Sequence, residues 1–279
     1  MSQRSVQWSK LSISLISIPS SASVVKIVIQ TASNKVDDNG CARMLAEAVA
    51  QLCHDGHQVT ILHSSAGNEN TAAAPSNDGV LGEPLNDIEA ALMAVENRQL
   101  AACLDFLGIP GIGLCGSDLG IFHLRKRDDH KRRGRAVVEV SSMNSRWLGI
   151  ICGNGGVPVI STLCLGAWGK YYLLPSGQAA SMCATSWNAD ALIFLTEDDG
   201  VIDRDGTVMR WLEINQIDQL TKDRNQNDAM LVRLRACRQA LKHGVHRVRI
   251  LPIARAELLS LFYWTKIEFG TEVIMAATE

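Results

Sequence analysis

Aromatic residues make up only 5% of the chain, and prolines number seven. So few aromatics leave little with which to stack bases, which disfavours a single-stranded nucleic-acid surface. Charge of one sign is also lacking. Twenty-seven Lys and Arg face 29 Asp and Glu, for a formal net charge of -2, so no general basic field argues for nucleic acid or an anionic membrane. No apolar run approaches the roughly 20 residues of a membrane span. The eight cysteines never form a Cys-x-x-Cys pair, which speaks against a zinc ribbon or a thioredoxin-like motif. Most sit among apolar neighbours and read as buried thiols in a reducing cytoplasm. A Gly-x-x-x-x-Gly-Lys-[Ser/Thr] loop is missing, which excludes a P-loop enzyme. No internal repeat and no clear linker interrupt the chain.

What is present is the composition of a large folded core: 279 residues, 47% hydrophobic and 20% charged. Residues 1–23 imitate a signal peptide poorly, because the apolar stretch is short and broken by serines; they are expected to be an extension or an oligomer-contact arm. Residues 24–31 (VVKIVIQT) read as a buried strand. A helix over 41–53 and a strand over 58–63 complete a strand-helix-strand unit. A polar loop over 64–84 leads to a helix over 85–107 and a strand over 109–114. Residues 124–140 form a charged hairpin, followed by a helix over 142–152, a buried strand over 157–161 and a small hairpin over 162–174 turning at Gly169. Helix 176–187, strand 191–196, helix 227–243, strand 245–251, helix 254–262 and strand 272–275 follow. Strands alternating with helices predict an α/β fold, a three-layer α/β/α sandwich with a largely parallel central sheet. The strands over 24–31, 59–63, 157–161 and 191–196 are expected at its centre.

Several patterns compete for a functional role. Gly111-x-Gly113-x-x-Gly116 matches the dinucleotide fingerprint, but the glycines lie inside a strand rather than between a strand and a helix. His54-x-x-His57 has no third ligand nearby and reads as a helix end and a turn; no metal site is expected. The basic run Arg125-Lys126-Arg127 with Lys131-Arg132-Arg133 reads as a solvated hairpin tip, or as a surface for an anionic partner. Arg233, Arg235 and Arg238 share one helix, and one of them could reach a phosphate through its fixed fork of donors. The acidic run 197–205 follows a buried strand, where open α/β sheets bind ligands.

The order of segments resembles the amino-acid kinase family and, within it, the acetylglutamate kinases. The resemblance rests on DALIFLTEDDGVIDRDG (190–206), GVHRVRILP (244–252), GTEVI (270–274), GVPVIS (156–161) and the strand-helix-strand opening, and covers residues 24–276. It implies an N-terminal, amino-acid-binding lobe over 24–175 and a C-terminal, nucleotide-binding lobe over 176–279 sharing one continuous sheet. It implies phosphoryl transfer from ATP, with Mg²⁺, to the carboxylate of N-acetyl-L-glutamate, in a cytoplasmic oligomer. Thr196, Asp198, Gly200 and Asp203 fall at the nucleotide positions, and Ser64, Ser65, Ala66 and Pro175 at the substrate positions. The charged groups the family uses have changed. Gln30 takes the place of the first lysine, with Ala32 and Ser33 in place of the two glycines after it. Gly177 takes the place of an organising aspartate and Arg233 that of a late lysine. Residues 79–87 lack the substrate arginine. Lys26 lies on the same strand as Gln30, a second candidate phosphate cation. The implied reading is a homologue that is catalytically dead or impaired, with weak ATP and Mg²⁺ binding. It would bind an N-acetylglutamate-like or changed ligand, as a homo-oligomer or with a related kinase. The alternatives are an active kinase with a rebuilt site and a structural subunit of a hetero-oligomer. No nucleic acid or membrane is expected as a partner.

Overall fold

The protein is described by a computed structural model covering residues 24–33, 41–65, 84–129, 135–166, 169–223, 226–262 and 269–276. The elements run β1 (Lys26–Ser33), α1 (Cys41–His54), β2 (Gln58–Ser65), α2 (Asp87–Phe106), β3 (Gly111–Cys115), β4 (Phe122–Asp129), β5 (Arg135–Met143), α3 (Arg146–Gly153), β6 (Val157–Ser161), β7 (Leu163–Leu165) and β8 (Tyr171–Leu173). They continue with α4 (Ser176–Ser186), β9 (Ala191–Thr196), β10 (Trp211–Glu213), α5 (Ile217–Asp223), α6 (Asp228–Lys242), β11 (Arg247–Pro252), α7 (Leu259–Phe262) and β12 (Thr271–Ile274).

Eight strands form one sheet in the order β10-β12-β11-β9-β1-β2-β6-β3. The four strands expected at the centre are β9, β1, β2 and β6, adjacent and parallel. They read as near-continuous apolar runs because both faces are covered, so no alternation of polar and apolar residues survives. On one face, Val28, Leu62, Ile160, Leu192 and Phe194 pack with residues of α3, α4 and α6. On the other, Ile27, Ile29, Ile61, Val159 and Ile193 pack with α1, α2 and the segment before α7. This is the three-layer α/β/α sandwich.

Local chemistry places the helices. Asn86 caps α2 by accepting from the Glu89 amide at 2.9 Å, while the Glu89 carboxylate accepts from the Asn86 amide at 3.1 Å; this reciprocal box satisfies two donors that a helix start leaves unpaired. Asn227 caps α6 through the Met230 amide at 2.7 Å. The charged hairpin is longer than its sequence pattern shows, with β4 and β5 paired antiparallel from Phe122 to Met143. The small hairpin β7–β8 turns where Gly169 adopts φ 72°, a left-handed conformation that suits glycine.

Some elements differ from expectation. Residues 142–143 belong to β5, so α3 starts four residues late. The segment 253–258 is a 3-10 turn and only α7 is α-helical. Strand β10 and helix α5 carry no sequence period that distinguishes them, being only three and seven residues long. Strand β12 runs antiparallel to β11.

Candidate active site

All five strands from β11 through β6 run parallel, so their carboxyl ends line one edge of the sheet. Helices α1, α4 and α6 each leave that edge and return the chain to the opposite one. Their N-terminal partial positive charges therefore converge on the edge. In an open α/β sheet this is the crevice where ligands bind.

Gln30 lies near the carboxyl end of β1. Its register partners are Leu62 and Phe194, which place its side chain on the face covered by α4 and α6. It is 0% exposed, and neither atom of its amide has a hydrogen-bond partner. Lys26 does not join it. Lys26 begins β1 at the far edge, with its Nζ 5.7 Å from the centroid of the Trp187 ring and 3.4 Å from the Trp187 carbonyl. At about 3.3 Å per residue, four residues of strand put it about 13 Å from the crevice. The expectation of Lys26 as a phosphate cation is therefore corrected: it anchors the strand's start.

Of the three arginines on α6, the structure buries one. Arg235 is exposed, and Arg238 bonds Asp218 at 2.8 Å. Arg233 is 6% exposed on the face that carries Met230, Leu234 and Cys237 into the core. Gly177 sits in the first turn of α4, opposite that stretch of α6. A Cβ added there would lie 3.2 Å from the Ala236 Cβ and 3.5 Å from Val232 Cγ1. The glycine thus allows the two helices to approach. Gly177→Asp is expected to destabilise the fold by about 1–3 kcal/mol through overpacking, read as a lower urea midpoint; an unchanged midpoint would show that the crevice has room for the side chain.

The other site residues divide. Ser64 is buried at the end of β2, Ser65 closes that strand, and Ala66 lies outside the described residues. Pro175 is the N-cap of α4 and supplies no side-chain cap. Thr196 ends β9, its hydroxyl donating to the Asp198 carbonyl at 2.8 Å. Gly200 takes φ 141°, and a Cβ there would meet Thr271 Oγ1 at 2.8 Å, so a side chain would break the packing between this loop and β12. Asp203 Oδ1 accepts from the amides of Asp205 at 2.9 Å and Thr207 at 2.8 Å. That carboxylate holds its own turn together. Asp198 and Asp199 are exposed. Among the described residues, no group of three or more His, Cys, Asp or Glu is placed to hold a metal ion.

A second buried polar layer escaped the sequence reading. Thr31, His63, Ser161 and Cys115 stand in register across β1, β2, β6 and β3. Asn97 of α2 reaches in, its Nδ2 2.9 Å from His63 Nε2 and 2.8 Å from the Val159 carbonyl. An amide nitrogen bonded to a carbonyl must donate, so His63 Nε2 accepts and the ring proton is assigned to Nδ1. Burial pushes the His63 pKa down to about 4, which keeps the ring neutral. Burial also raises Cys115, with Asp118 adding to the effect, so this thiol is no ready nucleophile. The nearby signal was Gly111-x-Gly113-x-x-Gly116, which has another purpose. A Cβ at Gly111 would collide with the Ala101 carbonyl, and one at Gly113 would lie 2.5 Å from Asn97 Oδ1. These glycines let α2 press onto β3.

The remaining patterns stay structural. His54 is exposed at the end of α1, while His57 is buried just before β2. Arg125 pairs with the buried Glu139 at 2.5 Å across the hairpin, and Lys131, Arg132 and Arg133 lie outside the described residues, as do residues 1–23 and 79–83. No described helix is long and apolar enough to cross a membrane.

The fold is that of a doubly wound α/β protein, a class whose ligands bind at the carboxyl edge of the sheet. Residues 26–252 match the amino acid kinase family, and the chain belongs to that family. It is 37% identical over 260 residues to an acetylglutamate kinase of Acidobacterium capsulatum, covering 90% of this chain and 99% of the relative. An acetylglutamate kinase of Koribacter versatilis is 34% identical, with the same coverage. Among solved structures, N-acetylglutamate synthase from Neisseria gonorrhoeae, complexed with coenzyme A and N-acetyl-glutamate, superposes with a TM-score of 0.72 at 19% identity, covering 91% of this chain and 60% of that one. Carbamate kinase from Giardia lamblia bound to citric acid gives 0.61 at 16% identity, covering 91% and 99%.

Proposed function

We propose that this chain is a cytoplasmic acetylglutamate kinase homologue that binds a small carboxylate ligand in the crevice and transfers no phosphoryl group. The observation that carries the reading is Gln30, a neutral, fully buried amide at the end of β1. A transferring phosphoryl group needs fixed cations around it, because catalysis there is positioning plus charge stabilisation. Among the described residues Arg233 is a buried cation on this face, and residue 177 is a glycine, not a carboxylate. The proposed division of labour puts the ligand on residues 24–175 and the nucleotide positions on residues 176–279.

ATP, if it enters, would bring its own Mg²⁺ on its phosphates. Thr196 and the turn built on Asp203 would flank it, and the exposed Asp198 and Asp199 would repel its phosphates. Calorimetry with ATP and Mg²⁺ is expected to give a Kd no tighter than about 0.1 mM, near −5.5 kcal/mol; a low-micromolar Kd overturns the weak-nucleotide part of the reading. A hydroxamate assay with N-acetyl-L-glutamate tests the absence of transfer.

One observation favours a second reading, an active kinase with a rebuilt site: 37% identity to a kinase along nearly its whole length. A third, a subunit in an oligomer of copies or of related kinases, is favoured by the apolar stripe that α2 exposes at Ile88, Leu92, Val95 and Phe106.

A further inference from the structure

Gln30 has no role in folding that its surroundings explain. Buried side-chain amides without partners are rare, and an unmade bond leaves the desolvation penalty of the group in place. Here both ends of one amide are orphaned. The buried Ser181 hydroxyl is orphaned too. It lies one turn after Gly177 along α4, on the helix whose Ala179 and Ala180 share the cluster of Leu62 and Phe194. At the head of the same helix, the first turn follows a proline and has no side-chain cap. The orphaned Gln30 amide thus lies on the sheet face that α4 covers, and the first turn of that helix carries the positive end of its dipole, which favours an anion.

We infer that Gln30 is a specificity-determining residue which reads a neutral carboxamide on a small carboxylate ligand. The inference rests on the ligand-binding reading above and names the class of ligand. A carboxamide offers its carbonyl to Gln30 Nε2 and an N–H to Gln30 Oε1, so both orphans are satisfied at once. A carboxylate or phosphate satisfies Nε2 but sets a negative charge against Oε1, and an ammonium does the reverse. The ligand's separate carboxylate is drawn to the first-turn amides of α4 and to the positive charge of Arg233. A site built to hydrogen-bond a particular group rejects the analogue that leaves its buried polar atoms unpaired.

The test uses the full chain and two matched probes, N-acetyl-L-glutamine and N-acetyl-L-glutamate, titrated by calorimetry. The probes differ only in carboxamide against carboxylate at the side-chain end. The carboxamide probe is expected to bind at least about tenfold tighter. Gln30→Met keeps the shape and removes the polar atoms. It is expected to bring the ratio below about twofold and to raise the melting temperature of the ligand-free protein by about 2 °C or more. Equal or tighter binding of the carboxylate probe rejects the inference while leaving the ligand-binding reading standing. A ratio unchanged by Gln30→Met, or a lowered melting temperature, rejects it as well. Binding of neither probe rejects both.

Discussion

Purified protein supplied with ATP, Mg²⁺ and N-acetyl-L-glutamate is expected to form no hydroxamate above background, and Gln30→Lys is expected not to restore turnover. Charge moves onto the transferring phosphoryl and must be met on both sides by groups already in place. Arg233 is a buried cation, but Gln30 is neutral and 0% exposed. Loss of one preorganised donor typically lowers the rate by about 10²–10³, and grouped losses are not simply additive. A lysine at 30 would place an ammonium between Leu62 and Phe194 with no carboxylate at 177 to hold it. Ala32 and Ser33, paired with Ser64 and Ser65 at the end of β1, also stand where the family resemblance implies two glycines. Turnover near the typical enzyme median of about 10 s⁻¹, lost on Arg233→Ala, would make the protein a kinase with a rebuilt site.

Acid is expected to weaken the fold well before its carboxylates are all protonated. The folded state holds His63 neutral, with its pKa lowered to about 4 by burial, whereas an unfolded histidine takes up a proton near 6.5. The unfolded state therefore binds the extra proton between these two values. Stability is fully present above about pH 6.5 and falls as the pH drops towards 4. The displacement of about 2.5 units corresponds to about 3 kcal/mol, a large part of a typical total of 5–15 kcal/mol. His57, also lowered by burial, adds in the same direction. Urea midpoints at pH 7.5 and pH 4.5 measure the loss. His63→Gln keeps an acceptor for Asn97 but no titrating ring, and its midpoint is expected to change less between the two pH values. An identical change in both proteins would show that His63 does not carry the effect.

Much of the fold was legible because burial and period act locally. Val157–Ser161 and Ala191–Thr196 are strands at the limits their apolar runs define, since a strand covered on both faces admits little else. Asn227 before α6 and Gly169 in the small hairpin signal their roles by local chemistry, a side-chain cap and a left-handed turn. Short edge elements such as Trp211–Glu213 lack that information. Their conformation is set by the strand beside them, here β12, rather than by their own three residues.

The crevice divides in the same way. By itself the sequence determined the residue types: an amide at 30, a glycine at 177, an arginine at 233, and an acidic loop after the last buried apolar run. It could not rank three arginines on one helix or two polar groups on one strand. Only the tertiary structure decided that Arg233 turns inward while Arg235 meets water, and that Lys26 is spent at the far edge on Trp187. It alone set Asn97 against His63 across 34 residues of chain and closed α4 onto α6 over Gly177. Such choices depend on which face a neighbouring layer covers. That is a property of the packed sheet and helices together, and no local stretch of sequence carries it.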